Sequence, residues 1–142
     1  MVAGGSLAMH ILRSLILLLV MAPLAAAQDP PAPGEDPAAF ADALAACEPA
    51  ALRIPHPLVR PFFVVHTVHG EKDGRCRYDQ TMPGDMTMEC AFTPEGRKAM
   101  VEEIRKLAGD AMLQGSTKGP QPAWTKDCEI VTKDGTRTPF GR

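Results

Sequence analysis

No C-x-x-C motif joins any of the four cysteines, Cys47, Cys76, Cys90 and Cys128, which argues against a thioredoxin-like redox enzyme and against a zinc ribbon. Neither sign of charge dominates: 15 basic and 17 acidic residues leave a formal net charge of −2. Such a balance offers no electrostatic footing for nucleic acid or anionic lipid. No apolar run is long enough to span a bilayer. The uncharged stretch from Ser14 to Ala27 contains Pro23 and falls short of the roughly 20 residues a spanning helix needs. A serine or cysteine nucleophile signature, an H-E-x-x-H helix and a phosphate-binding glycine loop are also missing. A cell-envelope enzyme is therefore the third and least supported reading.

What is present at the N-terminus is the order of parts of a secretory signal. Arg13 precedes the apolar run Leu15 to Ala22, and the small residues Ala25, Ala26 and Ala27 follow. Ala25 and Ala27 meet the small-x-small requirement of the signal peptidase, which predicts a Sec-type signal peptide over residues 1–27 cleaved after Ala27. No cysteine follows the cleavage point and no paired arginines precede it, so neither a lipid anchor nor the route for prefolded proteins is indicated. The expected destination is the periplasm, or secretion, with no stable membrane anchor after cleavage. All four cysteines lie in the exported part, and an even count in an oxidising compartment reads as a disulfide framework.

Residues 28–142 suffice for one domain. The segment 28–36, QDPPAPGED, holds three prolines and no apolar periodicity, so it reads as a flexible leader to a single disulfide-stabilised domain over 37–142. Asp36-Pro37 is a helix start, a capping carboxylate followed by a proline tolerated in the first turn. Phe40, Leu44 and Cys47 then recur at helical spacing and put Cys47 on the buried side of a short helix that ends near Glu48-Pro49.

From Arg53 to Pro61, prolines at 55, 57 and 61 exclude a helix and make an extended lead-in. Phe62 to His69 is β-branched and aromatic and is the first expected strand, closed by Gly70 and Lys72-Asp73-Gly74. Arg75 to Met82 alternates, with Cys76, Tyr78 and Met82 on one face and Arg75, Arg77, Asp79 and Thr81 on the other. After the turn Met82-Pro83-Gly84-Asp85, Met86, Met88, Cys90 and Phe92 share a face against Thr87 and Glu89. One register that keeps the apolar faces together sets Cys76 opposite Cys90, within disulfide reach. Cys47 would then pair with Cys128, although four cysteines allow three connectivities and the other two stay open.

Thr93-Pro94-Glu95 opens the principal helix, carried by Met100, Ile104, Leu107 and Ala111 and ended by Gly109 or Gly115. Trp124 to Thr132 supplies a fourth strand, and Lys133-Asp134-Gly135-Thr136 turns a short terminal hairpin. The expected fold class is α+β: a three- to four-stranded antiparallel β-meander, one main helix on one face, and a short N-terminal helix tied by a disulfide.

Cys47-x-Pro49, Pro55-His56-Pro57, Gly74-Arg75-Cys76-Arg77-Tyr78 and the element Met82-Pro83-Gly84-Asp85-Met86-Thr87-Met88-Glu89-Cys90 resemble a family of small exported bacterial proteins of unknown function. The resemblance covers roughly residues 47–100, and M-P-G-x-M-x-x-x-C is its most specific part. Related sequences carry a second cysteine soon after the first, where this chain has Leu52. No catalytic residue is implied by the resemblance.

Two candidate sites remain. Met82, Met86 and Met88 beside Cys90, with His66 on the neighbouring strand, have the soft thioether and imidazole chemistry that suits Cu(I). The competing reading is core packing, because Met86 and Met88 share the face of Cys90 and Phe92. His66 and His69 have opposite strand parity and cannot both enter one site unless a bulge intervenes. The second candidate is a binding surface on the extended segment, with His56 held between two prolines and Arg53 and Arg60 flanking it. Its competing reading makes the His56 imidazole a cap on local backbone. The leading expectation is a non-enzymatic binding or accessory module that needs no cofactor and presents Arg53 to Pro61, or the wet face of the sheet, to a periplasmic protein partner. A copper-binding protein is the alternative.

Overall fold

The computed structural model describes residues 31–108 and 120–140. The expected signal peptide, Gly109, Ala111 and Gly115 lie outside the described residues. The fold is α+β, but the sheet has six antiparallel strands rather than three or four. They are β1 (Ala50–Pro55), β2 (Phe63–Lys72), β3 (Arg75–Met82), β4 (Met86–Phe92), β5 (Cys128–Val131) and β6 (Arg137–Pro139), laid side by side in chain order. Helix α1 (Pro37–Ala46) precedes β1, α2 (Pro94–Ala108) follows β4, and a 3₁₀ turn over Ala123–Asp127 leads into β5.

The two helices begin as their caps dictate. Asp36 Oδ1 accepts from Ala38 N at 2.9 Å and Ala39 N at 3.4 Å, answering N–H groups that have no partner inside the helix. Thr93 Oγ1 accepts from Gly96 N at 3.0 Å, while Asp127 Oδ2 accepts from Thr93 N at 2.9 Å and Thr93 Oγ1 at 2.7 Å. The buried Asp127 carboxylate thus sits over the positive end of α2. It also fills the space above Gly96, where a Cβ would collide with Asp127 Oδ2. Helix α1 ends at Cys47, which takes a left-handed conformation with φ of 55°.

The segment expected as a lead-in contains a strand. In β1, Leu52 is buried and Arg53 exposed, the alternation of a half-buried strand, and its proline comes last, where no further ladder donor is needed. Gly34, inside the leader expected to carry no fixed structure, lies alongside: Gly34 N donates to Ala51 O at 2.9 Å and Arg53 N donates to Gly34 O at 2.8 Å. Sheet-edge groups of β1 are thereby answered.

Strands β2 and β3 are joined by the two-residue turn Asp73-Gly74, with φ of 54° and 72°, the conformation that fits the twist of a tight hairpin. β3 and β4 are joined by Pro83-Gly84-Asp85, so that Met82 faces Met86. This loop sets the register two residues away from the one expected: Cys76 lies opposite Phe92, and Tyr78 opposite Cys90. The expected pairing of Cys76 with Cys90 and Cys47 with Cys128 is therefore corrected. Cys47 bonds Cys76 with Cα atoms 5.7 Å apart, and Cys90 bonds Cys128 across β4 and β5 with Cα atoms 4.1 Å apart. The N-terminal helix is tied by a disulfide, but to β3.

The core forms where one sheet face meets the helices. Leu52, Val68, Tyr78, Met88 and Phe92 from the sheet pack with Phe40, Leu44, Met100 and Ile104. Trp124 and Phe140 stack at its margin, their ring centroids 5.3 Å apart. The opposite face carries charge in register. Glu89 lies opposite both Asp79 and Glu129. Arg137 bonds Glu89 at 2.8 Å and Glu129 at 3.2 Å, which neutralises a repulsive cross-strand pair. Among the described residues no helix is long and apolar enough to cross a membrane, and the two disulfides fit an oxidising extracellular compartment.

Candidate functional site

The connection between β1 and β2 is short and hydrogen-bonded to itself. His56 N donates to Phe62 O at 2.9 Å and Phe62 N to Val59 O at 3.1 Å. His56 Nδ1 accepts from Leu58 N at 3.1 Å and Val59 N at 2.9 Å. The imidazole is thus the backbone cap that the local reading of His56 expects, and it holds the hairpin end in one shape. That shape carries Leu58 at 86% exposure, Val59 at 42% and, at the start of β2, Phe63 at 40%. These are the large apolar side chains that the described residues leave in water. The Arg53 guanidinium lies 3.7 Å from the Phe63 ring centroid, a cation–π contact that fixes both, and Arg60 is exposed on the same connection.

Beneath the hairpin end, the sheet and α2 part to leave a cleft of about 360 Å³. Val64, His66 and Gln80 form its sheet wall, Met100, Ile104 and Leu107 its helix wall, and His56 and Trp124 complete the lining. The helix wall follows from the i, i+4, i+7 spacing of its apolar residues. The sheet wall follows from register, since His66 lies opposite Gln80 and shares the inward parity of Val64 and Val68.

His66 is 4% exposed. Its Nδ1 lies 2.6 Å from the Tyr78 hydroxyl, and that hydroxyl donates to Gln80 Oε1 at 3.3 Å. Burial lowers the His66 pKa to about 4, and it holds the Tyr78 phenol far above its ordinary value, with the Asp79 charge adding to the effect. At neutral pH the pair is uncharged. His66 Nε2 is buried without a hydrogen-bond partner, and so is Trp124 Nε1. An unanswered buried nitrogen costs about 1–3 kcal/mol, and both belong to residues of the same cleft.

The candidate residues are distributed as follows. His56 and His66 line one cleft, while Arg53 and Arg60 lie on the hairpin outside it. Met82 and Met86 face each other at the mouth of the β3–β4 hairpin, half-buried, whereas Met88 is buried in the core. His66 stands in the row of Met88 with Gln80 between them. A bulge does occur between Val68 and Gly70, yet His69 stays on the wet face and bonds Asp79. Among the described residues no group of three or more His, Cys, Asp and Glu is arranged to hold a metal ion.

Tyr78, Gln80, Met100 and Trp124 escaped the sequence reading as site residues because each looks like ordinary strand, helix or loop material alone. The available signal was His66, a polar residue in an inward stripe of valines. Comparison of the chain with family models, with curated proteins and with solved structures returned no match.

Proposed function

We propose that the chain is an exported, non-enzymatic binding module that engages a protein partner of the cell envelope through the β1–β2 hairpin end. The observation that carries this reading is the grouping of Leu58, Val59 and Phe63, the large apolar side chains left exposed, within six consecutive positions. Exposed apolar groups gathered on one rigid projection favour contact with another surface. Preorganisation by His56 removes part of the ordering cost of binding. Arg53 and Arg60 beside them favour a partner surface with an apolar pocket and an acidic rim. The secretory signal expected over residues 1–27 and the two disulfides support action in the periplasm.

Site-specific photocrosslinking in the periplasm of the native host tests the proposal. A crosslinker at position 58 is expected to yield one discrete adduct that a crosslinker at Lys133 does not, and Val59→Ser is expected to weaken it at least tenfold. Equal labelling from both positions would remove the basis for the hairpin as a docking element. A Cu(I) site is the second reading, favoured by the opposition of Met82 and Met86 across one hairpin. It predicts stoichiometric Cu(I) binding that is abolished by Met82→Leu with Met86→Leu.

A further inference from the structure

The cleft under the hairpin has a chemistry distinct from the hairpin's own. Its walls are apolar apart from a few groups, and its lining contains no lysine or arginine. The one carboxylate, Glu103, is engaged by Lys106 at 2.8 Å. A charged ligand would therefore lose its hydration without gaining a counterion. The indole N–H of Trp124 can only donate. Because the Tyr78 hydroxyl donates to Gln80 Oε1, His66 Nδ1 donates to that hydroxyl and Nε2 is left to accept. A hydroxyl group answers both, since its oxygen accepts and its proton donates.

We infer that this cleft binds a small, uncharged, mainly apolar alcohol or phenol, held by its hydroxyl at the unpartnered nitrogens of His66 and Trp124. The alkyl or aryl part lies between Val64 on the sheet and Met100, Ile104 and Leu107 on α2. A volume of about 360 Å³ is at the lower end of the range of small-molecule sites. The inference does not rest on the hairpin reading, because Leu58 lies outside the cleft lining.

Trp124 is the sole tryptophan of the chain, so its emission and its single indole N–H resonance report on the cleft directly. The probe is 1-octanol, titrated into the full exported protein with both disulfides intact, and octanoate at pH 7 serves as the charged counterpart. Saturable displacement of the indole N–H resonance by octanol is expected, with octanoate binding at least tenfold more weakly. His66→Phe, which removes the nitrogen and fills space, should weaken octanol binding at least tenfold. Leu107→Phe narrows the cleft at a half-buried position and should do the same, which keeps the test decisive if the His66 variant does not fold. Leu58→Ser should leave octanol binding unchanged, so that this inference and the docking role of the hairpin fail separately. The inference is overturned by an unsaturable response, by equal affinity for octanol and octanoate, or by binding that survives Leu107→Phe. A stoichiometric response to Cu(I) alone, with none to octanol, overturns it as well.

Discussion

The two faces of the sheet treat polar groups in opposite ways. On the wet face, Arg137 answers Glu89 and Glu129, and His69 answers Asp79. Water would have solvated any of these had it been left alone, so their pairing tells little about function. On the covered face water is excluded, and there His66 Nε2 and Trp124 Nε1 have no partner. Free energy is at stake only on that side. The contrast teaches that the charged face, where a sequence scan looks for recognition, is electrostatically quiet, and that the informative atoms are two uncharged nitrogens under α2.

The contrast can be sharpened by how much each face contributes to stability. The largest effect belongs to the covered face, where both disulfides lie. Cys90→Ala with Cys128→Ala, and separately Cys47→Ala with Cys76→Ala, should each lower unfolding free energy by about 4 kcal/mol in urea melts, given the chain each bridge closes. A double variant as stable as the parent would show that the bridge does not constrain the unfolded chain.

His66 comes next, through pH. Its folded pKa of about 4 lies below the 6.5 of the unfolded chain. Above pH 6.5 both states hold a neutral imidazole and no penalty exists. As pH falls from 6.5 toward 4, the unfolded chain takes up a proton that the native state refuses, and stability declines by on the order of 3 kcal/mol. Below pH 4 this group causes no further loss. Glu103 lines the same cleft and Tyr78 contacts the ring, so the His66 contribution is isolated by comparison. Urea midpoints at pH 7 and pH 5 should differ less for His66→Phe than for the parent, and an identical pH response in both would place the acid sensitivity elsewhere.

Gly96→Ala probes the seam between the faces. Displacing the buried Asp127 carboxylate should cost about 1–3 kcal/mol, exceeding the gain of about 1 kcal/mol that alanine brings to a helix interior. A thermal melt showing stabilisation would mean that Asp127 moves aside freely. The smallest effect belongs to the wet face: Arg137→Ala should shift the urea midpoint least of these variants, and less still at high salt. A loss as large as that from a disulfide would break the contrast between the faces.

Much of the fold was legible in short-range patterns. Asp36-Pro37 and Thr93-Pro94 marked both helix starts, and alternation placed β3 and β4 with their inward faces. The additional strands came from weaker signals. Leu52 and Ile54 alternate with Ala51 and Arg53 in β1, but the prolines at 49 and 55 masked a strand of six residues. In the stretch from Trp124, the first four residues fell within the 3₁₀ turn Ala123–Asp127 before β5 began. Of the candidate site, His56 was legible as a local cap because both its partners lie within three residues. The cleft was not, since it brings together β2, β3, α2 and the turn at Trp124.

By itself, then, the sequence determined whatever depends on neighbours along the chain: caps, turn conformations, strand parity, and the pairing of an even set of cysteines in some connectivity. Tertiary structure alone decided which cysteines meet and which nitrogens go unanswered. The physical reason is register. Shifting a hairpin by two residues preserves every inward and outward face, so alternation cannot detect it. The three-residue loop Pro83-Gly84-Asp85 settled that shift, leaving Cys90 to meet Cys128 across β4 and β5 and Cys76 to meet Cys47 at the end of α1.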